Sequence, residues 1–398
     1  MMRSLVDFGL GASALALFLA TLALVVQSTA MLLGADGKFR ISDHRPRFAV
    51  VVPAHNEQTG IADLVNHIRQ HLNADDRLIV VADNCSDSTA KIAAKCGADV
   101  VVRDDTSRVG KGFALEAGLR HLAAAPPEVV IFIDADCRFS ISGAEMLARA
   151  CASSGTPVQC LNLMLVDRDK TGQSRLAEFA WRIRNDFRPT GYARLGLPCQ
   201  LFGTGMAIPW RLIDPSDFAT GHVAEDLLIG LQNAVKGFPP RFFKSATVFS
   251  YFPESQSGRA MQKRRWLHGH LSIIGNQAPK LIVQAWRARS LGIAALAADL
   301  MAPPLVLLAL AHSSFFTLSI SWFALSGSWL PLALAALCNG MLAFSIIVAW
   351  FVCGRDLIGW AELREIPLHI LMVLRASIGF LRGNRSAWMR ADRASKTG

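Results

Sequence analysis

The chain has 398 residues, of which 52% are hydrophobic and 18% charged, and 41 Lys and Arg against 31 Asp and Glu give it a formal charge of +10. A charged share below the ~25% usual in soluble domains excludes an ordinary soluble protein and implies a membrane protein with a sizeable soluble part. The basic excess suits anionic headgroups or nucleotides, whereas no stretch reads as a nucleic-acid-binding module. The eight cysteines (Cys85, Cys96, Cys137, Cys151, Cys160, Cys199, Cys338 and Cys353) contain no C-x-x-C pair, so zinc-site spacing is absent and reduced, buried thiols of a cytoplasmic domain are expected.

The first predicted element lies between Asp7 and Asp36, where 28 uncharged residues exceed the roughly 20 that span a bilayer as a helix. The run is too long for a signal peptide's apolar region and no clear cleavage site follows, so residues 1–36 are expected to be an uncleaved anchor. Arg3 alone precedes it, while Lys38, Arg40, Arg45 and Arg47 follow. Basic residues stay on the cytoplasmic side, which puts the next block inside the cell.

From Phe48 the pattern changes to strands alternating with helices. "FAVVVP" is a strand, then a helix near 60–72; "RLIVVAD" is a strand, then a helix near 88–95; "ADVVVRD" is a strand, then a helix near 111–124; "EVVIFIDAD" is a fourth strand. Apolar strands separated by helices predict an α/β fold with a mostly parallel sheet covered on both faces. Ligands of such sheets bind beyond the carboxyl ends of the strands. Those ends read "PAHNE", "ADNCSD" and "DAD", all polar and two of them acidic.

Nucleotide and metal motifs narrow the reading. Lys111 follows Gly110, but Asp105 and Gly112 stand where a phosphate-binding loop needs Gly and Ser or Thr. "GTGMAI" at 203–208 ends in Ile208 rather than Gly. His67 and His71, four apart on a helix, lack the Glu of a zinc motif and read as a solvated face; His268 and His270 lack a ligand set. Asp134 and Asp136, at i and i+2 after a strand, are a pair that a turn can splay, one toward a ribose or base and the other toward a divalent cation. Hard cations such as Mg²⁺ or Mn²⁺ take oxygen ligands and bridge phosphates.

Farther on, "EDLLIGLQNAVKG" reads as a helix with an acidic N-terminus, which the helix dipole favours. If 258–275 is helical, Gln262, Arg265 and Trp266 share a face, and Lys263 and Arg264 form a basic skirt on another. Between Asp299 and Arg355 lie 55 residues without a formal charge, enough for two spans. "APP" opens the first and "SGSW" separates it from the second. The segment 366–383 carries Arg375 in its middle, which suits an interfacial helix better than a third span. The basic tail, with Arg382, Arg385, Arg390, Arg393 and Lys396, is expected inside the cell.

Taken in order, these motifs resemble a membrane-bound family 2 glycosyltransferase of the GT-A fold. "VVPAHNE" (51–57), "VVADNCSDST" (80–89), "VGKGFAL" (109–115), "IDAD" (133–136), "GTGMAIP" (203–209), "AEDLLIG" (224–230), "ATVFSYFPES" (246–255) and "QKRRW" (262–266) cover nearly the whole soluble block. Q-x-x-R-W is similar to the branch that includes cellulose, chitin and hyaluronan synthases and ceramide glucosyltransferase. The resemblance implies domains at 1–36 (anchor), 46–275 (cytoplasmic GT-A domain), 276–299 (interfacial), 300–354 (two spans) and 355–398 (interfacial or third helix and tail). It implies that Pro53, Ala54, Glu57, Asp83, Lys111, Asp134 and Arg265 bind a UDP-sugar, and that Asp134 and Asp136 hold Mg²⁺ or Mn²⁺. Asp226 would be the catalytic base with Glu225 tuning it, and Gly203, Thr204, Gly205, Gln262 and Trp266 would meet the acceptor, a saccharide or a lipid headgroup. The chain departs from polymer-forming members in Ala224 before the Glu-Asp pair, in lacking an F-x-V-T loop, and in having one span before the domain. A nucleotidyltransferase would need neither Q-x-x-R-W nor an anchor, and a non-catalytic scaffold would not need the acidic motifs.

Overall fold

The structure is a computed structural model that describes residues 2–33, 39, 41, 43–166, 172–252 and 256–366. Its strands are β1 (Phe48–Ala54), β2 (Arg77–Asp83), β3 (Asp99–Arg103), β4 (Val129–Phe132), β5 (Arg138–Phe139), β6 (Val158–Leu165), β7 (Met206–Pro209) and β8 (Arg241–Tyr251). Its helices begin with α1 (Met2–Leu33), α2 (Ile61–Arg69), α3 (Thr89–Lys95), α4 (Lys111–Leu122), α5 (Gly143–Ser154), α6 (Gly172–Arg182) and α7 (Arg188–Arg194). They continue with α8 (Glu225–Val235), α9 (Gln256–Ala288), α10 (Leu291–Met301), α11 (Leu305–Ser326), α12 (Leu330–Cys353) and α13 (Trp360–Leu363). Two compact units result, one holding the sheet and the other the long apolar helices.

In the sheet unit the strand order is β3-β2-β1-β4-β7-β6-β8-β5. β3, β2, β1 and β4 run parallel, while β7 lies antiparallel between β4 and β6 and β8 returns parallel to β6. The sheet is therefore mixed but mostly parallel. Alternation along β1 divides the core: Val50 and Val52 join Ile61, Leu64 and Ile68 of α2 on one face, and Ala49 and Val51 join Leu115, Leu119 and Leu122 of α4 on the other. Because successive strand side chains point to opposite faces, a strand apolar at every position must be covered twice. Parallel pairing also sends the loops after β1, β2, β3 and β4 out at one edge, which is where the chemistry-bearing residues gather.

The sheet domain expected over 46–275 is interrupted. Residues 172–197 leave it and pack with the apolar helices. The cause is an apolar stripe on α6 and the π-helical turn Ile183–Phe187: Phe179, Ile183 and Phe187 cluster with Met31, Val348, Ala349, Cys353 and Ile358. Arg188 donates to Asp299 Oδ1 at 2.7 Å, and Gln27 donates to the same oxygen at 2.8 Å. α1, α11 and α12 are each long and apolar enough to cross a membrane. The segment expected to be interfacial, 276–299, is the end of α9 followed by the short apolar α10. Residues 367–398, with Arg375 and the basic tail, lie outside the described residues, as does 253–255.

Candidate active site

Lys111 opens α4 and is the hub of the site. Its ammonium lies 2.7 Å from Asp134 Oδ1 and 3.5 Å from Glu225 Oε1, and donates to Gly203 O at 2.7 Å. Burial pulls the Lys111 pKa down, but Asp134, Glu225 and Asp226 outweigh it and the group stands above the ordinary lysine value. Glu225 is 3% exposed. Burial raises its carboxyl to about 7; Lys111 opposes this, and Asp226 and Asp134 reinforce it. Asp226, next along α8, is half-buried and accepts the Leu227 N–H on Oδ1 at 2.9 Å. Both acidic residues sit in the first turn of α8, where the helix dipole favours negative charge.

The 203–205 turn completes this group. Gly203 has φ +79°, and a Cβ there would come within 2.9 Å of Asp226 Oδ2 and 3.3 Å of Lys111 Nζ. Glycine is thus required both by the backbone and by the close approach of two site residues. Thr204 Oγ1 accepts the Asp134 N–H at 3.1 Å, tying the turn to the end of β4. Gln159, fully buried on β6, locks the turn: Nε2 donates to Thr204 O at 2.9 Å and Gly205 O at 3.2 Å, and Oε1 accepts from Phe202 N at 2.8 Å. The sequence reading missed Gln159, although a glutamine inside the apolar run "VQCLNLML" was the available signal.

Asp134, Asp136 and Cys137 bring one potential ligand atom each within 4.8 Å of one another. The two carboxylates suit a hard divalent cation. The Cys137 thiol does not, since burial, with Asp136 and Asp134 adding, pushes it well above the ordinary thiol value. Asp134, Glu225 and Asp226 all act on Lys111, and the Asp134–Asp136 pair has the oxygen ligands that a divalent cation takes.

A second group lies at the ends of β1 and β2. Pro53 and Ala54 end β1 in register with Val81 and Ala82. His55 Nδ1 donates to Asp83 O at 2.7 Å, and the Glu57 N–H donates to Thr89 Oγ1 at 2.8 Å. Asp83 itself is buried and paired with Arg103, a partner the sequence reading did not assign.

The third group is on α9. Gln262 is buried, Arg265 and Trp266 are half-buried, and Gly269 continues their stripe one turn on. A Cβ at Gly269 would lie 3.4 Å from Ala224 Cβ and 3.5 Å from Val223 Cβ, so this face of α9 packs against the segment leading into Glu225 and Asp226. His222 braces the contact. Its Nδ1 accepts the Ala224 N–H at 3.1 Å, leaving Nε2 to donate to Ser272 Oγ at 2.9 Å. His67 and His71 correct an expectation: they are half-buried against Phe139, and His67 Nε2 accepts the Phe139 N–H at 3.0 Å, so they do not form a solvated face.

A mixed, mostly parallel sheet with acidic loops at one edge is the architecture of the GT-A fold. Residues 46–269 match the family model described as glycosyltransferase like family 2, and the chain belongs to that family. A low-salt glycan biosynthesis hexosyltransferase of Haloferax volcanii is 35% identical over 112 residues, 27% of this chain and 24% of that protein. A 4,4'-diaponeurosporenoate glycosyltransferase of Staphylococcus aureus is 38% identical over 93 residues, 23% of this chain and 24% of that protein. The chain thus spans about a quarter of the length of the curated relatives it matches. A mannosyltransferase from Pyrobaculum calidifontis, solved with GDP-Man and Mn²⁺, shares the fold at TM-score 0.54 and 18% identity, covering 94% of this chain and 100% of the other.

Proposed function

We propose that this glycosyltransferase moves a sugar, with inversion, from a UDP-sugar to a membrane-associated saccharide acceptor at the cytoplasmic face of the cell's inner membrane. The observation that carries the reading is the convergence of Asp134, Glu225 and Asp226 on Lys111. Such a group can balance a diphosphate, a cation and a proton acceptor in one site. Asp83, Pro53, Ala54 and Glu57 would line the nucleotide pocket, with Lys111 and Arg265 toward the diphosphate. Asp134 and Asp136 would hold Mg²⁺ or Mn²⁺, which supplies positive charge against the phosphates when bound.

Asp226 is the more accessible of the two acids on α8, which suits a base that meets an acceptor hydroxyl. It takes the hydroxyl proton as the acceptor oxygen bonds to the anomeric carbon and the bond to the UDP oxygen breaks. Glu225, buried against Lys111, tunes it. Arg265 can fork onto the leaving diphosphate. Trp266, with Gln262, Gly203, Thr204 and Gly205, would position the acceptor, the indole offering a flat apolar face to a sugar. Three helices able to cross a membrane, and the basic residues after α1, support a membrane-associated acceptor and a cytoplasmic site.

A second reading, single transfer to a lipid headgroup, is favoured by the missing F-x-V-T loop. Mass spectrometry of products from purified full-length protein, membrane lipid and a panel of UDP-sugars tests both. Extended saccharide products support the first reading, and a monoglycosylated lipid as the sole product would refute it. Trp266→Ala should raise the acceptor KM with little change in donor KM; loss of UDP binding instead would remove Trp266 from the acceptor side.

A further inference from the structure

Arg103, buried at the end of β3, has no part in the reading above. Its Nη1 donates to Asp83 Oδ1 at 2.5 Å, and its Nη2 donates to Arg108 O at 2.6 Å and Asp105 Oδ2 at 3.3 Å. Its guanidinium carbon stands 5.5 Å from the centre of the Phe113 ring, which Arg108 also approaches at 5.1 Å. Asn84, held at φ +51°, adds a second donor to Asp83 Oδ1 at 3.1 Å and crosses to the Asp105 backbone through both ends of its amide. The guanidinium is thus clamped between the ends of β2 and β3 and cannot swing away without unseating the 105–108 loop.

The consequence falls on Asp83. Among the described residues, the side-chain hydrogen bonds to its carboxylate all land on Oδ1. Asp83 is 4% exposed, and Oδ2, which no protein donor reaches among the described residues, is the carboxylate oxygen left open to a ligand's donor. It sits at the carboxyl end of a parallel strand, where ligands of such sheets bind. Ring nitrogens of nucleobases differ in what they offer such an oxygen. Uracil N3 and guanine N1 carry a hydrogen, whereas cytosine N3 and adenine N1 carry a lone pair that the carboxylate repels.

We infer that Arg103 is a positioning residue for donor selection: it fixes the Asp83 carboxylate so that Oδ2 accepts the ring N–H of a keto nucleobase and rejects amino bases. This rests on the assignment of Asp83 to the nucleotide pocket. Burial raises the Asp83 pKa and Arg103 opposes it, with His55 also lowering and Asp105 raising it. Removing Arg103 therefore carries the group further toward its neutral, donating form.

The test is binding of UDP, GDP, CDP and ADP, each with Mn²⁺, to detergent-purified full-length protein, wild type and Arg103→Gln, from pH 8 to pH 6. The wild type should prefer UDP or GDP over CDP and ADP; whichever of the two binds more tightly names the donor. Arg103→Gln should weaken the preferred nucleotide by roughly ten- to hundredfold, the worth of a charge-assisted bond, narrow the keto-to-amino preference, and lose affinity more steeply than the wild type as pH falls. A folded Arg103→Gln with unchanged affinity, preference and pH slope overturns the role. The double variant Asp83→Asn/Arg103→Met removes both charges together, and its carboxamide can face either kind of base. Its UDP-to-CDP ratio should fall toward one, and an unchanged ratio overturns the inference even if Arg103→Gln fails to fold. A wild type that binds none of the four nucleotides refutes the donor site itself and the inference with it.

Discussion

Glu225→Gln isolates the electrostatic cost of the acidic cluster. Glu225 is buried beside Asp134 and Asp226, and its carboxyl is raised from 4.5 to about 7. The folded protein therefore holds this proton more tightly than the unfolded chain does. The associated stability is complete below pH 4.5 and is lost as the pH rises through 7. The gap corresponds to ~3 kcal/mol, with no discount for solvent because the side chain is almost fully buried. Glutamine keeps the shape of the protonated acid and does not titrate. For a unit of this size that energy shifts Tm by roughly 6–12 °C. The assay is thermal unfolding of detergent-purified protein in EDTA at pH 5 and pH 8. The variant's Tm relative to wild type should rise by about that amount between the two pH values, and subtracting wild type cancels the titrating groups that do not act on Glu225. A difference that stays flat, or runs the other way, would show that Lys111 holds Glu225 ionised and refute the assigned direction.

Asp226→Asn should cut kcat by about 10²–10⁴, the usual cost of losing a general base, with nearly unchanged UDP affinity by equilibrium binding; comparable activity would move the role to Glu225. Gly203→Ala should lower activity more than stability, because its Cβ would meet Asp226 Oδ2 and Lys111 Nζ at a φ of +79°; steady-state kinetics beside a melting curve checks this, and wild-type kcat would contradict it. Reporter fusions at the two ends of the chain should place the N-terminus outside and the C-terminus inside; an external C-terminus would mean that the segment 366–383 crosses the membrane.

The first four strands and the helices between them were legible because each strand carries an unbroken apolar run that leads into a polar segment, a pattern that a covered, mostly parallel sheet produces directly. The acidic motifs were legible as a set that follows the family's order along the chain; singly, a carboxylate at the start of a helix is also what the helix dipole favours. The antiparallel insertion of β7 was not legible. "MAIP" is four residues long, and its pairing with β4 and β6 is decided by the Gly203–Gly205 turn and by Gln159 from another strand. The departure of 172–197 from the sheet unit was hidden for the same kind of reason, since Phe179, Ile183 and Phe187 find their partners on α1 and α12, far away in sequence. Arg103 stands in the segment "ADVVVRD", read only as a strand, and the fold brings it to Asp83.

Release of UDP from a UDP-sugar by the purified full-length protein, with EDTA and then with Mn²⁺ or Mg²⁺ restored, is the most direct measurement of the central claim. Acceptor-dependent release should vanish in EDTA and return with either ion, and should be lost in Asp136→Asn while the protein remains folded. Full activity in excess EDTA, or from Asp136→Asn, would contradict a site in which Asp134 and Asp136 carry a divalent cation against the donor's diphosphate.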